Sequence, residues 1–132
     1  LEIHSYHQES VLVAGRQALD ALGLTESDRM KPEILSALLI SRVDPFQAQL
    51  INRTSFGGLL LAGETLCVLE VLPAAYIVLA ANEAEKAANI TLVNYTPRGR
   101  SGRLYFSGTD AEVRQARDAA IKSIEALPGR TK

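Results

Sequence analysis

The order of secondary-structure signals along this sequence, strand, short helix, strand, helix, strand, strand, helix, predicts an α+β sandwich. Three observations carry that expectation. Short apolar runs bounded by Gly, Pro and Asp mark the strands. An alanine-rich helical face over residues 74–88 implies a helix lying very close to a sheet. A chain of 132 residues, 47% hydrophobic and 22% charged, is long enough to bury a sizeable core.

Residues 1–4 read as a strand, and Val11, Ala14, Ala18 and Leu22 then recur at helical spacing up to Gly23, a helix stop. The same register returns in the last helix as Val113, Ala116, Ala120 and Ile124 at a constant offset. This repeat in miniature makes residues 1–24 the expected remnant, strand plus helix, of a preceding copy of the domain. No initiator Met precedes Leu1, so an upstream segment is expected to have been removed. The polar stretch at 25–29 suits a linker over 25–32, which leaves 33–132 as the domain proper.

Within that domain, residues 34–42 are too apolar for a one-sided helix and read as a buried strand. Asp44 and Pro45 supply an N-cap and a first-turn proline for a short helix through Leu50 and Ile51. Gly57 and Gly58 mark a turn, and residues 58–71 give strand material interrupted at 62–64. Pro73 opens the strongest helix, with Ile77, Ala80, Ala81, Ala84, Ala87 and Ala88 on one face. Strands at 90–95 and 103–107 flank the loop at 97–102. Thr109 and Glu112 form a capping box for a helix faced by Val113, Ala116, Ala120, Ile124 and Leu127, which stops before Pro128 and Gly129.

Composition excludes several function classes. The net charge of −1 and a pI near 6.1 do not describe a polyanion-binding surface, and no basic stripe or stacked aromatics accompany the loop, so no nucleic-acid partner is expected. The longest apolar stretch, residues 66–81, is broken by Glu70 and Pro73 and is too short to span a membrane. Cys67 is the single cysteine. It permits neither an internal disulfide nor a cysteine metal cluster, fits a reducing cytosol, and reads as a small buried hydrophobe. His4 and His7 have no carboxylate or cysteine at ligand spacing. Nothing assembles a base, a nucleophile and an oxyanion site, so no catalytic, cofactor or metal residues are assigned and no enzyme is expected.

The stretch YTPRGRSGRLYF at 95–106 concentrates Arg98, Arg100 and Arg103 around Gly99 and Gly102. It lacks the lysine and Ser/Thr of a phosphate-binding loop and lies between strands instead of opening a helix. By its own chemistry it is a strand-connecting turn with solvated charges.

The runs LINR at 50–53, LAGETL at 61–66, VLEV at 68–71, PAA at 73–75 and EAEKAANITLV at 83–93, followed by this loop, a short strand and a Val/Ala-faced helix, resemble the bacterial microcompartment (BMC) shell domain. The likeness covers essentially the whole chain and is nearest the second domain of the tandem-domain, trimer-forming shell proteins of carboxysomes, in their circularly permuted form. The resemblance implies a ferredoxin-like antiparallel sheet with helices on one side. It also implies a structural shell protein, in the carboxysome shell of a bacterial cytoplasm, that self-associates into trimers of pseudohexameric outline able to stack face to face and to meet other shell proteins.

Carried over by position, Arg98, Gly99, Arg100 and Ser101 match the pore-lining loop, while Lys86 and Arg42 match residues of the edge where tiles meet. Phosphorylated metabolites, ribulose bisphosphate and phosphoglycerate among them, and bicarbonate are the implied traffic of the pore. The loop has no cysteine to hold an iron–sulfur cluster, and the family's gating Glu-Arg pair falls upstream of Leu1. A second expectation from another class stays open: a small ligand-binding regulatory domain of ferredoxin-like fold, whose loop takes a metabolite within one subunit.

Overall fold

The computed structural model describes residues 3–131, and these divide into two compact units, one of residues 32–127 and one that joins the segment up to Lys31 with the tail from Pro128.

In the larger unit, β1 (Glu33–Ile40), β2 (Thr65–Leu72), β3 (Thr91–Thr96) and β4 (Gly102–Gly108) form one antiparallel sheet in the order β1-β2-β4-β3. The two long helices, α3 (Ile77–Ala87) and α4 (Asp110–Glu125), lie on one side of it. Alternation decides that side. Cys67, Leu69 and Val71 of β2 and Leu104 and Phe106 of β4 point at the helices and are fully buried. Small residues meet them: Ala80 and Ala84 of α3 and Ala116 and Ala120 of α4 are also fully buried, which lets both helix backbones approach the sheet.

The other side carries the short α2 (Pro45–Thr54), capped by Asp44, whose carboxylate accepts from the Phe46 amide at 2.9 Å. Ala48 of α2 packs with Val43, Leu60, Leu66 and Val93 in a second, smaller core. So the helices expected on one side are the two long ones, and α2 covers part of the opposite face.

Residues 58–61, read from the sequence as strand material, form no strand. The Asn52 side chain grips Leu60 in both directions, Nδ2 donating to its carbonyl and Oδ1 accepting from its amide, each at 2.9 Å. Leu60 is thereby buried while Leu59 and Leu61 stay exposed. The helix expected over 74–88 begins with a 3-10 turn at Ala74–Tyr76 and becomes α-helical at Ile77.

In the smaller unit, α1 (Gln8–Ala21) ends in a Schellman closure, Leu24 N–H to the Leu19 carbonyl and Gly23 N–H to that of Asp20, with Gly23 at φ +66°. The strand expected over 1–4 has Leu1 and Glu2 outside the described residues, and Ile3 and His4 form no strand. The segment expected as a plain linker is structured. Thr25 and Asp28 form a capping box, Met30 pairs in parallel with Arg130, and Gly129 lies so close to Lys31 that no Cβ would fit. The tail expected to close the domain at 132 thus groups with residues 25–31.

Gly102, the first residue of β4, lies against the Ala74 carbonyl and the Ile77 side chain with no room for a Cβ. Gly102→Ala should lose about 1–3 kcal/mol by overpacking. Thermal unfolding reads this as a fall of several degrees in Tm.

Candidate functional site

The antiparallel register fixes the two ends of the sheet. Glu33, Leu72, Gly102 and Thr96 lie at one end, and Ile40, Thr65, Gly108 and Thr91 at the other. Residues 97–101 connect Thr96 to Gly102 and therefore sit at the first end, beside the start of α3, which touches Gly102. Gly99 adopts φ +91°, a conformation that L side chains rarely take, and so makes the turn possible.

Polar contacts on the α2 side of the sheet pin this loop. Glu70 of β2 lies opposite Arg103 of β4. Its Oε1 accepts from Ser101 Oγ at 2.6 Å and from Arg103 Nε at 3.4 Å. The Ser101 hydrogen bond, and then the Arg103 charge, hold the Glu70 carboxyl below its ordinary value of 4.5. Ser101 is thus an anchor of the loop. Arg98 and Arg100 are exposed, and neither forms an ion pair with a described residue. The loop therefore ends in two unneutralised guanidinium groups on a fixed stem.

Lys86 and Arg42 both lie at the far end of the sheet. Lys86 is in the last turn of α3, one residue before Ala87, whose carbonyl accepts from the Gln115 side chain at 2.6 Å. Its ammonium donates to Glu83 Oε1 at 3.0 Å, and this contact keeps the Glu83 carboxyl lowered. Arg42 follows β1 in a left-handed conformation, φ 51°. Buried Val43 imposes it, tied in both directions to the 63–64 turn at 2.9 Å. The two residues share an end but not a flank: β1 is one edge of the sheet, and α3 packs toward β3, the other edge.

Beside Arg42 opens a cleft of about 670 Å³ that the sequence did not disclose. Asp110 sits in it, salt-bridged to Arg114 at 2.7 Å and accepting from Ser41 and Thr65 at 3.4 and 3.3 Å. Arg114 is the main cause that holds the Asp110 carboxyl below its ordinary range. Glu64 accepts from the fully buried Ser107 at 2.7 Å. The residues come from 41–42, 61–65 and 107–114, and only the strand register brings them together.

Burial pushes the Cys67 thiol up to about 12, which leaves it an unreactive core residue. Among the described residues no group of three His, Cys, Asp or Glu side chains is placed to hold a metal ion, and no helix is long and apolar enough to cross a membrane.

Comparison with known proteins gives a consistent picture. The family model described as "BMC domain" matches residues 65–130. The chain is 52% identical over 130 residues to the carboxysome shell protein CcmP of Synechococcus elongatus, covering 98% of this chain and 61% of that protein. It is 38% identical over 128 residues to the carboxysome shell protein CsoS1D of Prochlorococcus marinus, covering 96% and 50%. Between half and two-thirds of these relatives' length is therefore spanned.

Among solved structures, a double-ringed trimeric shell protein of the RMM microcompartment superposes with a TM-score of 0.94 at 33% identity, covering 98% of this chain and 64% of that one. A fused permuted hexameric shell protein of the same microcompartment gives 0.85 at 47%, covering 89% and 60%.

Because its folded pKa is depressed, Glu70 contributes to loop anchoring above pH 4.5, and that contribution is lost as pH falls through the lower folded value. A carbonyl-carbon NMR titration of Glu70 should give a midpoint below 4.5, and Ser101→Ala should move it upward.

Proposed function

The chain belongs to the BMC domain family, and we propose that it is a structural tile of a microcompartment shell, that of the carboxysome in a bacterial cytoplasm, and not a catalyst. Copies assemble into trimers of pseudohexameric outline, stack face to face, and meet other shell proteins at their edges. Residues 1–24 are read as the end of a preceding BMC domain. In support, Val11, Ala14 and Ala18 of α1 and Leu22 just after it repeat the register of α4, yet none of them is buried whereas Val113, Ala116, Ala120 and Ile124 are fully buried.

One observation carries the proposal: the division of the sheet into two ends. The anchored loop with its free arginines stands at one end, and Lys86 and Arg42 stand at the other. A wedge of this form closes around an axis at the loop end and meets neighbouring tiles at the far end. Two solvated arginines on one chain do little. Repeated around an axis, with backbone amides and little intervening water, their potentials add, attract anions and repel cations. Phosphorylated sugars, phosphoglycerate and bicarbonate fit that filter, with Arg98, Gly99, Arg100 and Ser101 as the rim and Ser101 holding it to Glu70.

A second reading, a ligand-binding regulatory domain, has the cleft beside Arg42 in its favour. Assembly separates the two, because the shell reading requires flat sheets or rings and the regulatory one a small oligomer that binds one metabolite saturably.

The Arg98→Ala, Arg100→Ala double variant should lose bound sulfate or phosphate at the axis and slow the entry of phosphorylated solutes into shells; unchanged occupancy and permeability reject the rim assignment. Lys86→Asp should abolish sheets in electron micrographs while individual rings persist.

A further inference from the structure

Residues 25–31, between α1 and β1, are held in two ways, and only one of them is local. The Thr25 amide and hydroxyl both donate to Asp28 Oδ2, at 2.9 and 2.8 Å, and Arg29 Nε donates back to the Glu26 carbonyl at 2.9 Å. The turn so closed is three residues of 3-10 helix, too short to persist by itself in water. The second hold comes from Arg130, 102 residues beyond Asp28. Its amide donates to the Arg29 carbonyl at 2.8 Å, its carbonyl accepts from the Lys31 amide at 2.9 Å, and Met30 is thereby bridged in parallel to it. Its Nε adds a bond to the Asp28 carbonyl at 2.9 Å. One arginine grips the segment with amide, carbonyl and guanidinium together.

Gly129 makes that grip possible. A Cβ there would lie 2.5 Å from both the amide nitrogen and the Cα of Lys31, and 2.9 Å from the Arg29 carbonyl oxygen, so any side chain would push the tail away. The two segments are rooted in the larger unit: Ile124 is fully buried near the end of α4, and Pro32 is buried just ahead of β1. Between those roots no apolar burial adds to the grip. No described residue of the smaller unit is buried, and Met30, Lys31, Pro128 and Arg130 are all exposed. Exposed hydrogen bonds without apolar burial form the low-stability end of a fold and open locally, whereas β2 and β4 open only together with their core.

We propose that Pro128, Gly129 and Arg130 form a strap that opens and closes on residues 28–31, and that its closure is what keeps residues 25–31 folded. Released, these seven residues can extend to roughly 25 Å. Opening therefore lengthens the connection between α1 and β1, and closing takes up its slack. Where residues 1–24 are the end of a preceding domain, as read above, the strap sets the reach of the link between two domains of one chain.

The test follows amide exchange by NMR, and tryptic cleavage of the Arg29–Met30 bond by mass spectrometry, in the wild-type chain, in Gly129→Val and in Arg130→Ala. A protease takes an extended segment, so this bond is cut from the open strap. In the wild type the Lys31 and Arg130 amides should exchange at least about tenfold more slowly than in an unstructured chain, and at least about tenfold faster than the amides of β2 and β4. Gly129→Val should speed both exchange at Asp28 and Lys31 and cleavage after Arg29 by about tenfold, with β2 and β4 unchanged. Arg130→Ala keeps the backbone bridge, loses the guanidinium bond and should fall between; it carries the comparison if Gly129→Val disturbs the sheet. Variants that exchange and are cut like the wild type show that the turn holds itself, and overturn the strap. Wild-type Lys31 and Arg130 amides that exchange at the rate of the sheet overturn its separate opening. These readouts lie within one chain, so a result against the strap leaves the tile reading standing, and a chain that never assembles overturns the tile reading alone.

Discussion

The close approach of α3 to the sheet is the constraint on which the rest of this structure depends. It exists because Ala80, Ala81 and Ala84 present little more than a methyl group to a face built of Leu69, Leu104 and Phe106. At one end the helix entrance touches Gly102, where only glycine fits, and this fixes the stem of the 97–101 loop. At the other end Gln115 of α4 holds the Ala87 carbonyl, next to Lys86. A helix of 11 residues rising ~1.5 Å each separates these ends by ~16 Å. One packed helix thus sets the separation between the loop and the far end of the sheet, and a larger residue on its buried face would displace both.

Pairing, more than composition, determines where charge is available. Glu70 neutralises Arg103, Glu83 holds Lys86, Asp110 holds Arg114 and Asp118 holds Arg117. These pairs are largely exposed, and exposed pairs add at most about 1 kcal/mol each. Their effect is positional. By tying down Arg103 and Ser101, Glu70 leaves Arg98 and Arg100 as the charges the loop presents. A chain with a net charge of −1 can therefore display a locally positive end.

The sequence made the helical faces and caps legible because these are local properties. Asp44, Pro45, Thr109 and the periodic alanines each act within about one turn of themselves. What was not legible depends on register. Glu70 appeared only as an interruption of an apolar run, and its partners Ser101 and Arg103 lie 31 and 33 residues away. The cleft around Asp110 needs Ser41, at a separation of 69 residues, and the clasp on the supposed linker needs Arg130, 102 residues from Asp28. Residues 58–61 misread as strand for the opposite reason. Their alternation is real, but the Asn52 side chain produces it by holding a single leucine, where a strand would need a ladder of backbone partners.

The α1 and α4 helices show what such patterns do and do not encode. Both carry the same apolar register, and only one has that face buried. Periodicity specifies which face needs cover, and the covering element is specified elsewhere. The same reasoning applies to Leu35, Leu38, Phe56 and Tyr95, whose exposure hydrogen bonds and tight glycine packing maintain in the case of Phe56 and sheet geometry maintains in the others. Exposed apolar side chains that the backbone holds in place cannot collapse inward to escape water. Their burial requires a second surface, and the proposed assembly into tiles is what would supply one.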